Sequence, residues 1–475
     1  MTLPTSTPAR GRTMSDARWS PALWGLLFVL AGNMLIDALE VSVAVVALPA
    51  IGADLGIPAR QVHWVVTAFA VGFGALMLFG TRVVAVLGRR PVYLAALLVF
   101  AAASLASAFA DGVLPLVATR LLKGFCAALT APTGLAIIAA TFPEGRARGR
   151  AVSVYTLFGA SGFSAGLLLS GLLTEADWRW TFAFPAPIAL LLFLCGLRLI
   201  PRDAPNPERP RHYDAAGALT LTGGVVLLVL AIGSVPASGW VHPRTLLALL
   251  GAAVLLTAFV RHELTTRTPL VRLDLLVNRP LVRSALGAAA LNGSYLGMLL
   301  VVTVHLQRTA GWSALQTGLA ILPASVPLAV SALHSGRLVN RFGAARLIAL
   351  GAVFPPLGQA ALLAGLDAPV RYTTGVLPSM LLVGAGFVLC FTALHLQATS
   401  AVPAGRQAEA SGIYQTAVQL GAVLVLALVA ALQPMGHRAA LLLVTAVGAL
   451  GLIIALGGVL PRRERPLNPT LENER

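Results

Sequence analysis

Residues 22–51 read ALWGLLFVLAGNMLIDALEVSVAVVALPAI, and this stretch decides the fold class of the whole chain. It is longer than the roughly 20 apolar residues that a membrane-spanning helix requires. A secretory signal peptide has an apolar region of only about 7–15 residues, so we interpret the stretch as a retained first span. Asp37 and Glu40 stand inside it, where a lipid bilayer makes charge costly.

The composition extends this interpretation to the full length. Of 475 residues, 57% are hydrophobic and 11% are charged, whereas a soluble protein carries about 25% charged residues. Several soluble domains, or a disordered chain, are therefore excluded. The net charge of +16 does not predict a nucleic-acid partner in a membrane protein. We find no metal-ligand spacing, nucleophile motif or phosphate-binding loop, so neither an enzyme nor a cofactor is predicted.

Apolar runs bounded by glycine, proline or charge predict an all-α polytopic membrane protein with fourteen transmembrane helices. The runs are 22–51, 61–80, 92–110, 114–142, 151–173, 180–200, 214–236, 243–261, 282–304, 314–335, 347–366, 374–402, 410–432 and 438–460. The predicted domains are an N-terminal tail (1–21), an N-terminal six-helix bundle (22–200), a Pro-rich linker (201–213), an inserted helix pair (214–261), a second linker (262–281), a C-terminal six-helix bundle (282–460) and a C-terminal tail (461–475).

The distribution of basic residues predicts the orientation. With the N-terminus in the cytoplasm, 26 arginines fall on cytoplasmic segments and 6 on outer loops. An excess of arginine marks cytoplasmic loops, so we expect a multi-pass protein of the cell membrane with both termini in the cytoplasm. Lys123 is the only lysine, a skew towards arginine that indicates a bacterial source with a GC-rich genome.

An internal repeat divides the chain. Residues 81–83 and 88–90, TRV and GRR, follow the second run, and residues 336–338, GRL, with Gly343 follow the tenth. Duplicated halves of this kind predict a binding site at the midplane between them and transport by alternating access.

Two motifs then point to one family. Residues 40–49, EVSVAVVALP, fit the pattern Asp-x-Thr-x-x-Asn-x-Ala-Leu-Pro, with Glu40 in the acidic position and Val45 in place of the Asn. Residues 120–124, RLLKG, fit Arg-x-x-Gln-Gly with Lys123 in place of the Gln. The chain therefore resembles the major facilitator superfamily, specifically its fourteen-helix drug:proton antiporters.

The basic turn after the second run resembles the superfamily's Gly-x-Leu-x-Asp-Arg-x-Gly-Arg-Arg. Arg82, Gly88, Arg89 and Arg90 match this pattern, and Ala85 replaces its Asp. The resemblance implies a cytoplasmic gate at these four residues. Anchoring of the turn at the cytoplasmic surface is the alternative interpretation.

Three glycines of the fifth run, Gly162, Gly166 and Gly171, lie where the resemblance places an antiporter motif, Gly-Pro-x-x-Gly-Gly. Small residues on one helix face predict close packing against a neighbouring helix. Leu167 replaces the Pro of the motif, and this departure leaves a proton-coupled importer or facilitator of a small organic solute open as an alternative to an exporter.

The polar residues of the first run form the candidate proton site. Asn33, Asp37 and Glu40 recur at i, i+4 and i+7, which places them on one helix face. A carboxylate that is costly to ionise is suited to take up and release protons, although structural hydrogen bonding is the alternative. The resemblance ranks Glu40 first and implies a proton-coupling role for Arg120. Lys123 is predicted either to neutralise Asp37 or to disfavour cationic substrates.

Aromatic and polar side chains on the other helices suit an amphipathic organic substrate. The predicted cavity residues are Asn33, Lys123, Tyr155, Asn292, Tyr295, His395, Tyr414, Gln415 and Gln419. We expect a monomeric secondary transporter that exports a drug, antibiotic or secondary metabolite in exchange for protons and uses the proton gradient rather than a cofactor. A transport-inactive membrane receptor or scaffold with the same fold is a further alternative.

Overall fold

The computed structural model describes residues 19–203, 214–266, 269–331, 335–366, 371–403 and 406–458, and these ranges are helical without strands. Thirteen of their helices are long and apolar enough to span a bilayer, and a helix pair bent by 50° provides a fourteenth span. The predicted all-α fold with fourteen spans is confirmed. The predicted tails and linkers fall partly outside the described residues, at 1–18, 204–213, 267–268 and 461–475.

The spans are numbered here in chain order. They are α1 Pro21–Asp54, α2 Trp64–Ala75 with Met77–Leu87, α3 Arg89–Ala108, α4 Val113–Thr141, α5 Arg146–Ala176, α6 Trp178–Leu199, α7 Ala215–Ser238, α8 Pro243–Thr265, α9 Arg279–Val304, α10 Ala314–Ser331, α11 Ala344–Ala364, α12 Tyr372–Ser400, α13 Gln407–Leu432 and α14 His437–Leu456. Shorter helical segments are Ala59–Val62, Leu273–Val277, His305–Thr309, Ser335–Phe342 and Gln433–Met435. We call the side on which α1 begins the near face and the side on which it ends the far face.

The first helix begins where its sequence provides a cap. The Ser20 hydroxyl accepts a hydrogen bond from the Leu23 amide, and Pro21 occupies the first turn, where its missing N–H costs nothing. At 34 residues, α1 is about 50 Å long. That length exceeds the roughly 30 Å hydrocarbon core of a bilayer, so α1 must tilt or project beyond it.

The helices form two halves and an inserted pair. Helices α1–α6 and α9–α14 make the halves, and the halves meet along two seams, α5 against α10 and α2 against α13. The inserted pair α7–α8 packs against α2 and α13 at the second seam. The most apolar window of α9 is 89% buried, whereas that of α8 is only 17% buried. Helix α9 is therefore a central element, and α8 lies at the periphery.

The sequence repeat corresponds to a shared turn geometry. Gly88 joins α2 to α3 with φ of 99°, and Gly343 joins Ser335–Phe342 to α11 with φ of 82°. Both values lie in the left-handed region that favours glycine. The two halves therefore reverse direction at equivalent near-face turns by the same means.

The predicted glycines of α5 allow two close helix contacts. A Cβ atom added at Gly162 would lie 2.2 Å from the Leu35 carbonyl oxygen, and one at Gly166 would lie 2.2 Å from Ser42 Oγ, so α5 lies directly on α1. A Cβ at Gly171 would lie 2.9 Å from the Ala314 carbonyl oxygen of α10. These glycines position both the interior of the N-terminal half and one seam between the halves.

At the far face, hydrogen bonds close the seam. Gln307 Nε2 donates to the Val46 carbonyl at 3.1 Å, and Ser313 Oγ donates to Glu175 Oε1 at 2.6 Å. Beyond this seam lies a cavity of about 320 Å³, whose lining includes Leu48, His63, Leu300, Arg308 and Gln433. The midplane residues are therefore separated from the far face by direct contacts between the halves.

Candidate functional site

A buried charged cluster occupies the interior of the N-terminal half. Asp37 and Glu40 of α1 are 2% and 0% exposed, and Arg120 and Lys123 of α4 are both 0% exposed. Helices α1 and α4 run in opposite directions. Residues early in α4 therefore lie opposite Glu40, and Thr130, later in α4, lies opposite Asp37.

Glu40 binds both cations. Its carboxylate accepts a hydrogen bond from Arg120 Nη1 and lies 2.5 Å from Lys123 Nζ. Arg120 Nη2 also donates to the Glu40 main-chain carbonyl, and Arg120 Nε donates to the Val65 carbonyl of α2, each at 2.9 Å. A single guanidinium therefore holds α1, α2 and α4 together, as its fixed fork of donors permits.

Aromatic rings line the same cations. The Arg120 guanidinium carbon lies 4.7 Å from the centroid of the Phe69 ring, and Lys123 Nζ lies 5.1 Å from that of Phe100. Phe182 of α6 lies within 6 Å of both cations. Cation–π contacts of this kind compensate part of the cost of removing the cations from water.

Asp37 has a different environment from Glu40. Asn33 Nδ2 and Thr130 Oγ1 each donate to Asp37 Oδ2 at 2.9 Å. Within the described residues, Asp37 forms no ion pair. The prediction that Lys123 neutralises Asp37 was therefore wrong, because the register of α4 on α1 brings Lys123 to Glu40 instead.

Three residues of this cluster were missed by the sequence analysis. Thr130 holds Asp37, the Val65 carbonyl holds Arg120, and Phe182 covers both cations. Thr130 carried a usable signal, since it follows Lys123 by seven residues and therefore lies on the same helix face. The main-chain contact of Val65 and the position of Phe182 had no such signal.

Two predicted cavity residues lie among helices of the N-terminal half. Asn33 is bound to Asp37. Tyr155 is 3% exposed, and its hydroxyl donates to the Ala131 carbonyl at 2.9 Å, among buried residues of α1, α3 and α4. With Lys123, which is bound to Glu40, these predicted residues contact one another's helices rather than the C-terminal half.

The predicted aromatic residues of the C-terminal half belong to one continuous series, which we call the aromatic row. Its members, in order of ring contact, are Phe163, Tyr295, Phe387, Phe391, Tyr414 and His395. Successive ring centroids are 5.7, 4.6, 5.0, 6.4 and 5.0 Å apart. Phe163 belongs to α5, so the row begins on the N-terminal half and continues through the C-terminal half.

Hydrogen bonds fix the tyrosines of the row. Tyr295 donates to the Ala324 carbonyl at 3.2 Å, and Tyr414 donates to the Phe391 carbonyl at 3.1 Å. Both rings are almost fully buried, whereas Phe391 and His395 are half-buried. Tyr295 and Tyr414 therefore support the row, and Phe391 and His395 present its accessible part.

The remaining predicted cavity residues are amides. Asn292 Nδ2 of α9 donates to the Val418 carbonyl of α13 at 3.0 Å. Gln415 is half-buried, and Gln419 is 9% exposed beside Gly74 of α2, at the seam between α2 and α13. The amides thus follow α13 from the aromatic row to the seam.

The predicted gate residues hold near-face segments together. An Arg82 Nη2 atom donates to the Pro269 carbonyl, and Arg90 Nη2 donates to the Leu197 carbonyl at 2.6 Å. Arg89 is exposed, and Gly88 provides the left-handed turn between α2 and α3. Arg82 therefore ties the N-terminal half to the linker that precedes α9.

The same linker is bound to the C-terminal half. Arg406, before α13, donates to Asp274 at 2.7 and 3.0 Å, and Arg272 lies 3.4 Å from Glu409 of α13. The Arg406 guanidinium holds the pKa of the Asp274 carboxyl below its ordinary range by these hydrogen bonds. The linker thus bridges the near-face ends of the two halves.

Comparisons with known proteins agree with this architecture. The Major Facilitator Superfamily profile matches residues 30–426. The chain is 36% identical over 416 residues to the puromycin resistance protein pur8 of Streptomyces alboniger, covering 86% of this chain and 81% of that protein. It is 30% identical over 423 residues to the cephamycin export protein CmcT of Amycolatopsis lactamdurans, covering 88% and 86%. The crystal structure of a D-xylose-proton symporter shares the fold, with a TM-score of 0.63 and 17% identity over 92% of this chain and 97% of that one.

Proposed function

The chain belongs to the major facilitator superfamily and is a transporter of small organic molecules rather than an enzyme, and we propose that it exports an amphipathic compound in exchange for protons. The compound is a drug, an antibiotic or a secondary metabolite. Relatives named for puromycin resistance and cephamycin export support this direction and class of cargo. The transport cycle alternates access to a midplane site between the two halves.

The observation that carries the proposal is the buried cluster of Asp37, Glu40, Arg120 and Lys123. Four ionisable side chains with exposures of 2% or less lie within membrane-spanning helices. Such groups are expensive in a bilayer and mark ion or proton pathways. A carboxylate there can exchange a proton with water when alternating access opens the site to either face, which couples the proton gradient to transport without a cofactor.

The aromatic row and the amides of α13 would bind the cargo. Flat apolar groups can stack on Phe391 and His395, while Gln415 and Gln419 offer sparse hydrogen bonds. Because a binding site made of rings and amides tolerates variation in the ligand, we expect several related compounds to be transported.

The near face is assigned to the cytoplasm, which puts both termini inside a bacterial cell membrane. The 26 arginines on near-face segments against 6 on far-face segments support this orientation. Fluorescent fusions at either terminus should emit, because the protein folds in the cytoplasm. We propose a monomer, and the mass of the protein in lipid nanodiscs tests this.

A susceptibility assay in a drug-sensitive host tests the function. We expect expression of the chain to raise the tolerated concentration of puromycin or of another amphipathic antibiotic in a panel, and to lower its accumulation. A variant in which Asp37 and Glu40 are both replaced by amides should behave as the empty vector. Equal accumulation in all three strains across the panel would reject export.

Leu167 favours a second candidate, a proton-coupled importer. This residue takes the place of the motif's Pro, is fully buried, and has its carbonyl 2.7 Å from a Cβ added at Gly318 of α10. The direction of proton movement in proteoliposomes distinguishes the two functions. Protons and substrate moving in opposite directions support the exporter, and movement in the same direction supports the importer.

A further inference from the structure

We propose that Asp37 carries the coupled proton and that Glu40 is a permanently ionised anchor for two cations. This inference rests on the proposed proton exchange and deepens it. The family resemblance ranks Glu40 first, because Glu40 occupies the acidic position of the motif. The contacts of the two carboxylates assign them the opposite roles.

Glu40 cannot accept a proton without leaving two buried cations unbalanced. Its carboxylate contacts Arg120 and Lys123, and all three side chains are 0% exposed. Removing the negative charge from such a group leaves uncompensated cations in a medium that solvates them poorly. The same Arg120 guanidinium also fixes α2 through the Val65 carbonyl, so the ion pair is part of the helix packing.

Asp37 can be neutral or ionised at smaller cost. Its hydrogen bonds come from the neutral donors Asn33 and Thr130, and both reach Oδ2, so a proton on Oδ1 disturbs neither. The Thr130 hydroxyl also contacts the Cys126 carbonyl at 3.1 Å, which lets it keep a partner in either state. Protonation of Asp37 therefore breaks no ion pair among the described residues.

The surroundings of Asp37 contain no competing cation in contact with it. Asp37 interacts electrostatically with four titratable groups, one on its own helix and three on α3, α4 and α5. They are Glu40, Tyr93, Cys126 and Tyr155. Beyond Glu40 lie Lys123 and Arg120, which are bound to that carboxylate. Glu40 is the one acid of this set, and its two cations offset its repulsion of an ionised Asp37.

Two departures from the family pattern compensate each other. Asp37 is an acid that the pattern does not contain, and Lys123 is a cation where the pattern has Gln. With Asp37 ionised, the cluster holds two acids and two cations and is neutral. With Asp37 protonated, it carries one net positive charge. The added lysine thus supplies the charge that makes an ionised Asp37 tolerable, and one proton switches the cluster between the two states.

Infrared difference spectroscopy on the purified full-length protein tests the assignment without a known substrate. Spectra recorded between about pH 5 and pH 9 report the C=O stretch of carboxyl groups that gain a proton. We expect Asp37→Asn to remove a band that Glu40→Gln retains. Because Glu40→Gln alone can fail to fold, the double variant Glu40→Gln/Lys123→Gln removes one acid together with one cation. Glu263→Gln, which changes a buried acid of the inserted pair, is the matched control and should leave this band in place.

Transport by the same variants supplies a second measurement, with puromycin as the probe. Asp37→Asn should abolish accumulation driven by a pH gradient and make transport independent of pH. The double variant should keep its pH dependence. A band that persists in Asp37→Asn and disappears in the double variant would overturn the assignment. If the wild type shows the band of Asp37 but moves no protons with any compound, the proposed antiport fails while the assignment of the titrating acid stands.

Discussion

The two halves of the protein share a fold and a near-face turn but differ in what they bury. The N-terminal half encloses Asp37, Glu40, Arg120 and Lys123. Among the described residues of α9–α14, by contrast, no Asp, Glu, Lys or Arg is buried. The interior there consists of the aromatic row, apolar side chains and neutral amides.

This difference suggests a division of labour after duplication. A charged interior responds to protons but is poorly suited to bind varied organic cargo, because each charge needs a fixed partner. An aromatic interior accepts varied flat ligands but offers nothing that titrates strongly. Placing the two interiors on opposite sides of one midplane lets one half respond to the proton while the other binds the compound.

Removing the acid that balances the N-terminal cluster should have the largest effect. Glu40→Gln leaves Arg120 and Lys123 buried without a counter-charge, which we expect to cost about 3–5 kcal/mol of folding free energy. Denaturation of the purified protein, followed by circular dichroism, measures the loss. The companion Glu40→Gln/Lys123→Gln should recover part of it, and a single variant as stable as the wild type would remove the proposed anchor.

Changing the aromatic row should affect binding rather than proton response. Phe391→Leu keeps an apolar side chain but loses ring contacts, which we expect to weaken binding by about 0.5–1.5 kcal/mol, roughly a 2- to 13-fold rise in Kd. Fluorescence titration with a transported compound measures this, and the pH dependence of transport should be unchanged. Tyr155→Phe in the N-terminal half is the control. A larger effect of the control on Kd would move the cargo site into the N-terminal half.

A buried amide allows the neutral half to be improved. Gln359 of α11 is 0% exposed, and neither of its amide atoms has a hydrogen-bond partner among the described residues. Gln359→Leu removes an unsatisfied polar group and should raise the folding free energy by about 1 kcal/mol. Asn33→Leu, the comparable change in the charged half, should destabilise, because it takes a donor from Asp37. Equal shifts in melting temperature would contradict the contrast between the halves.

The smallest effect is expected where the halves are tied at the near face. The pKa of Asp274 is held below its ordinary range by Arg406, so the pair stabilises the fold above the unfolded pKa and ceases to do so as pH falls through the lowered folded pKa. The melting temperature of Asp274→Asn should therefore lie slightly below that of the wild type at pH 7 and meet it in strong acid. Glu144→Gln, which alters an exposed pair with Arg148 in the N-terminal half, provides the reference. A gap that widens on acidification would reverse the sign of this argument.

The sequence was sufficient for the helices because spanning is a local property. Each apolar run reports its own hydropathy, and the fourteen predicted spans correspond to the observed ones. The second run shows the limit, since 61–80 was predicted and the helices extend over Trp64–Ala75 and Met77–Leu87. The polar residues Thr81 and Arg82 ended the apolar pattern, but the backbone remains helical until Gly88. Hydropathy locates the membrane-embedded part of a helix and not its end.

The candidate site was predictable in part for the same reason. The stripe of Asn33, Asp37 and Glu40 follows from helical periodicity within α1. The choice of Lys123 between two acids three residues apart depends on how far α4 is shifted along α1. Close packing at glycines and main-chain contacts such as that of Val65 fix this register, and neither has a pattern in a single sequence.

The near-face linker sets a length as well as a connection. Arg82 holds it at Pro269 and Arg406 holds it at Asp274, on opposite halves of the protein. Five peptide steps separate these two points, and an extended chain covers roughly 18 Å over that distance. While both contacts persist, the ends of α2 and α13 are leashed, and the linker limits how wide the near-face mouth can open. A larger molecule would pass only after one arginine lets go, so the upper size of the cargo is written partly in the length of a loop that never touches it.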